Sequence, residues 1–227
     1  MQALDLARFR ATPLTRTPFE YTIVPGFVKA EARAAINADY PRIDRPGSFP
    51  LSEVRGGPAF DALVAEMKGE AMRRAFEDKF KIDLSGRPTM TTVRGRCWER
   101  DGHIHTDAVT KIITVLVYLN PTWEQPGGCL RLLRSPDDIE DVIVEVPPLE
   151  GTLLAFRRSD NSYHGHKPFT GERRVLQFNW ITSWGVMRRE VLRHRVSAVL
   201  KRLLPLDRLP FFRRKPAHSP AAKGRAA

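Results

Sequence analysis

Cysteine is nearly missing from this chain. Cys97 and Cys129 are the only two in 227 residues, too few for a disulfide framework and without CxxC spacing, so reduced structural thiols are expected. No stretch approaches the roughly 18 consecutive apolar residues of a membrane-spanning helix. The opening MQALDLARFRATPLTRTPFEY lacks the apolar core and small-residue cleavage site of a secretory signal, which makes the cytoplasm the expected location. No internal repeat is visible. Net charge is also lacking over most of the chain, despite a total of +11. From Arg188 onward there are twelve Lys and Arg against Glu190 and Asp207, a surplus of ten. Residues 1 to 187 hold the remaining 25 basic and 24 acidic side chains. The basicity belongs to the tail, and a nucleic-acid footprint spread over the whole domain is excluded.

What is present reads as one domain with a tail. The length suits a single sizeable core. A short strand, Tyr21 to Val24, is stopped by Pro25-Gly26, and apolar spacing gives a helix from about Ala30 to Tyr40. Residues Pro41 to Pro50 read as a loop. Phe60, Leu63, Val64, Met67, Met72 and Phe76 recur at helical intervals, predicting a helix from about Ala59 to Phe80 with one buried face. After Pro88 short β-branched and aromatic runs alternate with turns, the pattern of an antiparallel sandwich or barrel. The expected strands are Met90 to Trp98, Lys111 to Leu119, Cys129 to Leu133, Asp141 to Val146, Thr152 to Phe156 and Arg173 to Thr182. The run ITVLVYL at 113 to 119 is apolar on both faces, as for a strand between a second sheet and covering helices.

Two stretches carry chemistry. GHIHTD at 102 to 107 gathers two histidines and a carboxylate, and in a strand His103, His105 and Asp107 would project to one face. SYHGHKPFTGERR at 162 to 174 supplies a second histidine pair and then basic residues. Two histidines and a carboxylate on one side of a metal leave the other side open, the facial arrangement of non-haem Fe(II) oxygenases. A structural zinc site would be closed by four protein ligands, usually with cysteine. Taken alone, an HxD pattern reads sooner as a polar loop than as a ligand pair.

The ordered set is HTD at 105 to 107, ITVLVYLN at 113 to 120, Trp123, GGCLRLL at 127 to 133, VPPLEGTLLAF at 146 to 156 and HGHKPFTGERRVLQFNW at 164 to 180. Over about Thr91 to Thr182 it resembles the small bacterial 2-oxoglutarate/Fe(II)-dependent dioxygenases of the prolyl-hydroxylase-like type. The resemblance implies a mainly β protein with flanking helices (α+β), a double-stranded β-helix or jelly-roll barrel. Its core would be 89–186, covered by N-terminal helices within 1–88, all one domain over 1–186. It implies Fe(II) held by His105, Asp107 and His164, with 2-oxoglutarate and O2 as co-substrates and room for ascorbate as a reductant. His164 is preferred to His166 because the distal ligand of the family stands four residues before a proline, here Pro168. An arginine nine or ten residues further on would clamp the far carboxylate of 2-oxoglutarate, and Arg173 and Arg174 hold those positions. Strand parity favours Arg173: if it faces inward, Val175, Gln177 and Asn179 follow, while Leu176, Phe178 and Trp180 pack under the helices.

The implied reaction converts 2-oxoglutarate to succinate and CO2 while hydroxylating a small-molecule or peptidyl substrate. One departure stands out: relatives often carry a tyrosine on the strand before HxD that contacts 2-oxoglutarate, and VRGRCW at 93 to 98 has none. Arg94, Arg96, Trp98 or Tyr118 are the candidate replacements. His103 and His166 are expected as neighbours of the site or as exposed polar residues, and Gly127 and Gly128 as a turn or bulge. A cupin-like barrel would use His103 and His105, but it wants a glutamate soon after, and no acid follows Asp107 until Glu124. A metal-free binding module is the other alternative. Residues 187–227 read as a basic amphipathic helix packed on the barrel and a disordered, solubilising end, with contact to an anionic membrane surface or nucleic acid as the alternative.

Overall fold

The computed structural model describes residues 2–185. The expected C-terminal basic helix and tail, and with them the domain boundary at 186, lie outside the described residues. No helix among those described is long and apolar enough to cross a membrane.

The chain opens with α1 (Leu6–Ala11), β1 (Tyr21–Val24), α2 (Ala30–Ala38), β2 (Phe49–Pro50), α3 (Pro58–Lys68) and α4 (Glu70–Phe80). It continues through β3 (Thr89–Cys97), β4 (Lys111–Tyr118), β5 (Leu130–Leu133), β6 (Val142–Val146), β7 (Leu153–Arg157), β8 (His164–Gly165) and β9 (Gly171–Ile181). The helix expected from Ala59 to Phe80 is broken in two. Gly69, extended at φ −70° and ψ 158°, closes α3 and opens α4, and its amide donates to the Glu66 carbonyl at 3.0 Å. Apolar spacing runs through the break because both helices face the same sheet. At the start of α3, Pro58 takes the first position, where its missing amide is no loss. The Asp39 carboxylate accepts from the Ala59 amide at 2.7 Å and caps the helix from the end of α2. The helix α1, absent from the sequence reading, is started by Asp5, whose side chain accepts from the Arg8 amide.

Six strands form one sheet in the order β1-β7-β4-β9-β3-β2, and three form another in the order β6-β5-β8, all pairs antiparallel. No ladder joins the two among the described residues, so the jelly roll is an open sandwich and not a closed barrel. Alternation along the strands builds two cores. Val93, Ile113, Val115, Val117, Leu176, Phe178 and Trp180 pack outward with Phe60, Met67, Met72 and Phe76 of the helices. Leu116, Tyr118, Leu154, Phe156 and Val175 pack inward against Leu130, Leu132 and Val146 of the smaller sheet. Phe76 lies 4.8 Å from Trp180, ring centre to ring centre. Each such buried aromatic stabilises the fold by about 1.5–3 kcal/mol. The helix layer thus fixes the large sheet, and its inner face is left to carry polar groups.

Candidate metal and co-substrate site

His105 precedes β4 in a segment that is not a regular strand, and the structure secures it another way. Its amide donates to the His164 carbonyl at 3.0 Å, and the His164 amide donates back at 2.9 Å, an isolated antiparallel bridge. The two imidazoles consequently lie 4.3 Å apart, centre to centre. Each is turned by the same local device: Nδ1 of His105 meets the His103 carbonyl at 2.8 Å, and Nδ1 of His164 meets the Ser162 carbonyl at 3.0 Å. A carbonyl only accepts, so Nδ1 carries the proton in both rings and Nε2 keeps its lone pair for a ligand. Phe156 of β7 supports the His164 ring at 4.7 Å.

Asp107 completes the group. Its ligand atom and those of the two histidines all lie within 4.8 Å of one another, and among the described residues this is the only cluster able to hold a metal ion. His103, by contrast, is exposed and contributes its carbonyl, not its ring. Lys111, at the start of β4, donates to Asp107 Oδ1 at 2.6 Å, and the Thr114 hydroxyl donates to Oδ2. That hydroxyl has one proton, so the Asn179 carboxamide, 2.9 Å from the same oxygen, is best satisfied with its N–H donating. Burial raises the Asp107 pKa, but the Lys111 ammonium, the His164 ring and the two hydrogen bonds outweigh it and hold the carboxyl below its ordinary range. Burial pushes His164 down to about 4, against the pull of Asp107. Near neutral pH the set is one carboxylate and one buried neutral imidazole beside His105. Lys111 and Thr114 were not anticipated; their spacing of four and seven from Asp107 places them on the strand that follows it.

The two arginines face opposite sides of β9. Arg173 lies inward and buried, with Nε donating to the Gly128 carbonyl at 2.7 Å and its guanidinium 5.6 Å from the Tyr118 ring centre. Its Nη2 and the Tyr118 hydroxyl are buried without hydrogen-bond partners among the described residues. Arg174 points the other way, paired with Glu172 at 2.6 Å and set over Tyr40 of the helix side at 5.5 Å. Burial drives the Tyr118 hydroxyl pKa up to about 12 despite the opposing guanidinium, so it stays a donor. Gly128 is the expected turn residue, with φ +78° and Trp123 and Phe169 where a Cβ would stand. Its carbonyl also holds Arg173, a task invisible in the sequence because it belongs to the backbone.

Asp107, His105, His164 and Arg173 all line one cavity of about 260 Å³. So does His166, expected among the exposed residues if not at the site; it is buried, with Nδ1 against the Lys167 carbonyl at 2.8 Å. Of the candidate replacements for the missing tyrosine, Arg94 lines the cavity and Tyr118 lies beside Arg173. Arg96 and Trp98 are exposed.

The donor set fits a ferrous ion: imidazole nitrogens and a carboxylate on one side, no thiolate, and an open cavity opposite. The unpartnered Arg173 Nη2 and Tyr118 hydroxyl fit the carboxylate of a co-substrate. Fold and donor set together fit a mononuclear non-haem oxygenase. The chain matches, over residues 96–182, the family model described as the 2OG-Fe(II) oxygenase superfamily. It is accordingly an enzyme dependent on Fe(II), 2-oxoglutarate and O2. A search of the curated proteins by sequence found no match. Among solved structures, the chain resembles a prolyl-4-hydroxylase from Pseudomonas putida with 18% identity, covering 78% of this chain and 97% of that one at a TM-score of 0.52. It also resembles HygX from Streptomyces hygroscopicus, solved with nickel and 2-oxoglutarate bound. There the identity is 13%, the coverage 72% of this chain and 82% of that one, and the TM-score 0.51. At these identities both likenesses concern the fold.

Proposed function

We propose that His105, Asp107 and His164 hold the iron, that Arg173 with Tyr118 takes the far carboxylate of 2-oxoglutarate, and that the protein hydroxylates a substrate carbon. The observation that carries the reading is the buried guanidinium of Arg173, with a partnerless Nη2, lining the same cavity as the three ligands. A buried cation without an anion is costly, and a co-substrate carboxylate removes that cost. When bound, iron and 2-oxoglutarate supply the oxidising chemistry: O2 is split between the substrate, which gains a hydroxyl, and 2-oxoglutarate, which leaves as succinate and CO2. The chain supplies placement. Lys111 and Thr114 keep Asp107 ionised and fixed in rotation. The backbone carbonyls of His103 and Ser162 keep both Nε2 atoms turned to the ion. Leu116, Leu130 and Val175 line the cavity with apolar surface and limit water. A cytoplasmic setting suits the reading, because both cysteines are free thiols.

The test is anaerobic. Fe(II) and then 2-oxoglutarate are added to the purified protein, and the weak visible absorption of the chelate is followed in wild type, His164→Ala and Arg173→Ala. The expected result is a band in wild type, none in His164→Ala, and a band in Arg173→Ala that demands far more 2-oxoglutarate. A folded, metal-loaded wild type with no band returns the protein to the cupin-like or binding-module readings.

A further inference from the structure

The cavity holds a second guanidinium that the reading above leaves unused. Thr92 and Arg94 share the inner face of β3, with Val93 between them in the helix-side core. Just after Arg94 the pairing with β9 shifts register, and Gly95 lies at that irregularity. A Cβ at Gly95 would stand 2.7 Å from the Ile43 side chain and 2.8 Å from its carbonyl oxygen, so only glycine lets the 41–48 segment cross here. That crossing brings Ser48 to Arg94. Arg94 Nη1 donates to Asp101 at 3.1 Å and Nη2 to the Ser48 hydroxyl at 3.1 Å. Asp101 also accepts from the Trp98 amide at 2.9 Å, which fixes it at the turn closing β3. The Tyr40 hydroxyl donates to the Arg94 carbonyl at 2.8 Å and pins the backbone from the helix side. Arg94 is therefore held in place, while its Nε–H takes no protein acceptor among the described residues.

Charge points the same way. The cavity wall carries three cations, Arg94, Lys111 and Arg173, against Asp107, with Asp101 behind Arg94. Ferrous iron and the 2-oxoglutarate dianion cancel each other, so one positive charge is left over. The volume of about 260 Å³ is close to the lower bound of roughly 300 Å³ for small-ligand sites, and the co-substrate fills part of it.

We propose that Arg94, with the hydroxyls of Ser48 and Thr92, binds a carboxylate on the molecule that is hydroxylated, which makes the substrate a small organic acid and not a neutral sugar or an internal peptide residue. The proposal rests on the iron and 2-oxoglutarate reading, and the chelate band tests that reading separately. Here the full chain is loaded with Mn(II) and saturating 2-oxoglutarate and titrated calorimetrically. The probes are small aliphatic, aromatic and N-acyl amino carboxylic acids, each beside its primary amide. At least one acid is expected to bind about tenfold or more tightly than its amide, the scale of one charge-assisted contact. Arg94→Gln should erase that preference, Arg94→Lys should keep part of it, and half-saturation of the chelate band by 2-oxoglutarate should move by less than about threefold in both. If Arg94→Gln proves unstable, Ser48→Ala, which removes one hydroxyl, should weaken the acid and spare its amide. The proposal is overturned if no acid outbinds its amide in a protein that forms the band, or if the preference survives Arg94→Gln. A shift of about tenfold or more in 2-oxoglutarate half-saturation would also overturn it, assigning Arg94 to the co-substrate.

Discussion

Arg173 and Arg174 are neighbours on β9 with the same side chain and opposite surroundings. Toward the cavity, Arg173, Val175, Gln177 and Asn179 present three polar side chains and one apolar one; toward the helices, Leu176, Phe178 and Trp180 are buried in the main core with Arg174 at its rim. One strand thus serves two functions whose demands differ. The helix face needs volume and shape, and its energetics follow buried area. The cavity face needs specific hydrogen bonds, and each loss there is felt in ligand affinity before it is felt in stability.

That contrast can be broken at either face, and the effects should fall in a definite order. Phe178→Ala removes a fully buried ring from the helix-side core and is expected to cost about 3–5 kcal/mol, read as a lowered urea midpoint. Arg173→Ala should raise the 2-oxoglutarate needed to half-saturate the chelate by about 10- to 100-fold, the scale of hydrogen bonds to a charged group, with a smaller shift in the urea midpoint. Thr114→Val frees one oxygen of Asp107 and should weaken Fe(II) or Mn(II) binding by about tenfold in competition with a chelator. Arg174→Ala removes a partly exposed ion pair and a ring contact, worth no more than about 1 kcal/mol, and should leave 2-oxoglutarate half-saturation within about twofold. If the two arginine variants exchanged these outcomes, the parity argument for β9 would be wrong.

How much of this was legible in the sequence depended on whether a feature was local. The alternation of 173 to 180 predicted which arginine enters the cavity, because a strand has a period of two and the register shift against β3 leaves Arg173 on the face of Val175. The doubly apolar run in β4 correctly announced a strand covered on both sides. Periodicity also hid the break at Gly69: two helices on the same sheet continue one stripe, and only an extended glycine shows the stop. The two-residue strand β8 has no pattern of its own, since it is defined by its pairing with Leu132 and by the bridge to His105. At the site, HTD and the distal histidine could be found by their order along the chain. The Lys111 ammonium, the Gly128 carbonyl and the Ser48 hydroxyl could not, because each reaches its partner through folding or through the backbone. His166 reads as a polar loop residue until β8 carries it into the interior.

The reciprocal amide pair between His105 and His164 sets how the site is assembled. Two of the three donors come from segments far apart in the chain, and bringing such segments together ordinarily carries a loop-closure entropy that a metal ion would have to offset. Here the closure belongs to the folding of the sandwich itself, so the ion meets donors already at their spacing. Removal of iron by a chelator should then leave a folded apoprotein that takes up metal again without refolding. Its thermal midpoint should rise with added metal only by the mass-action increment for a ligand entering a preformed site.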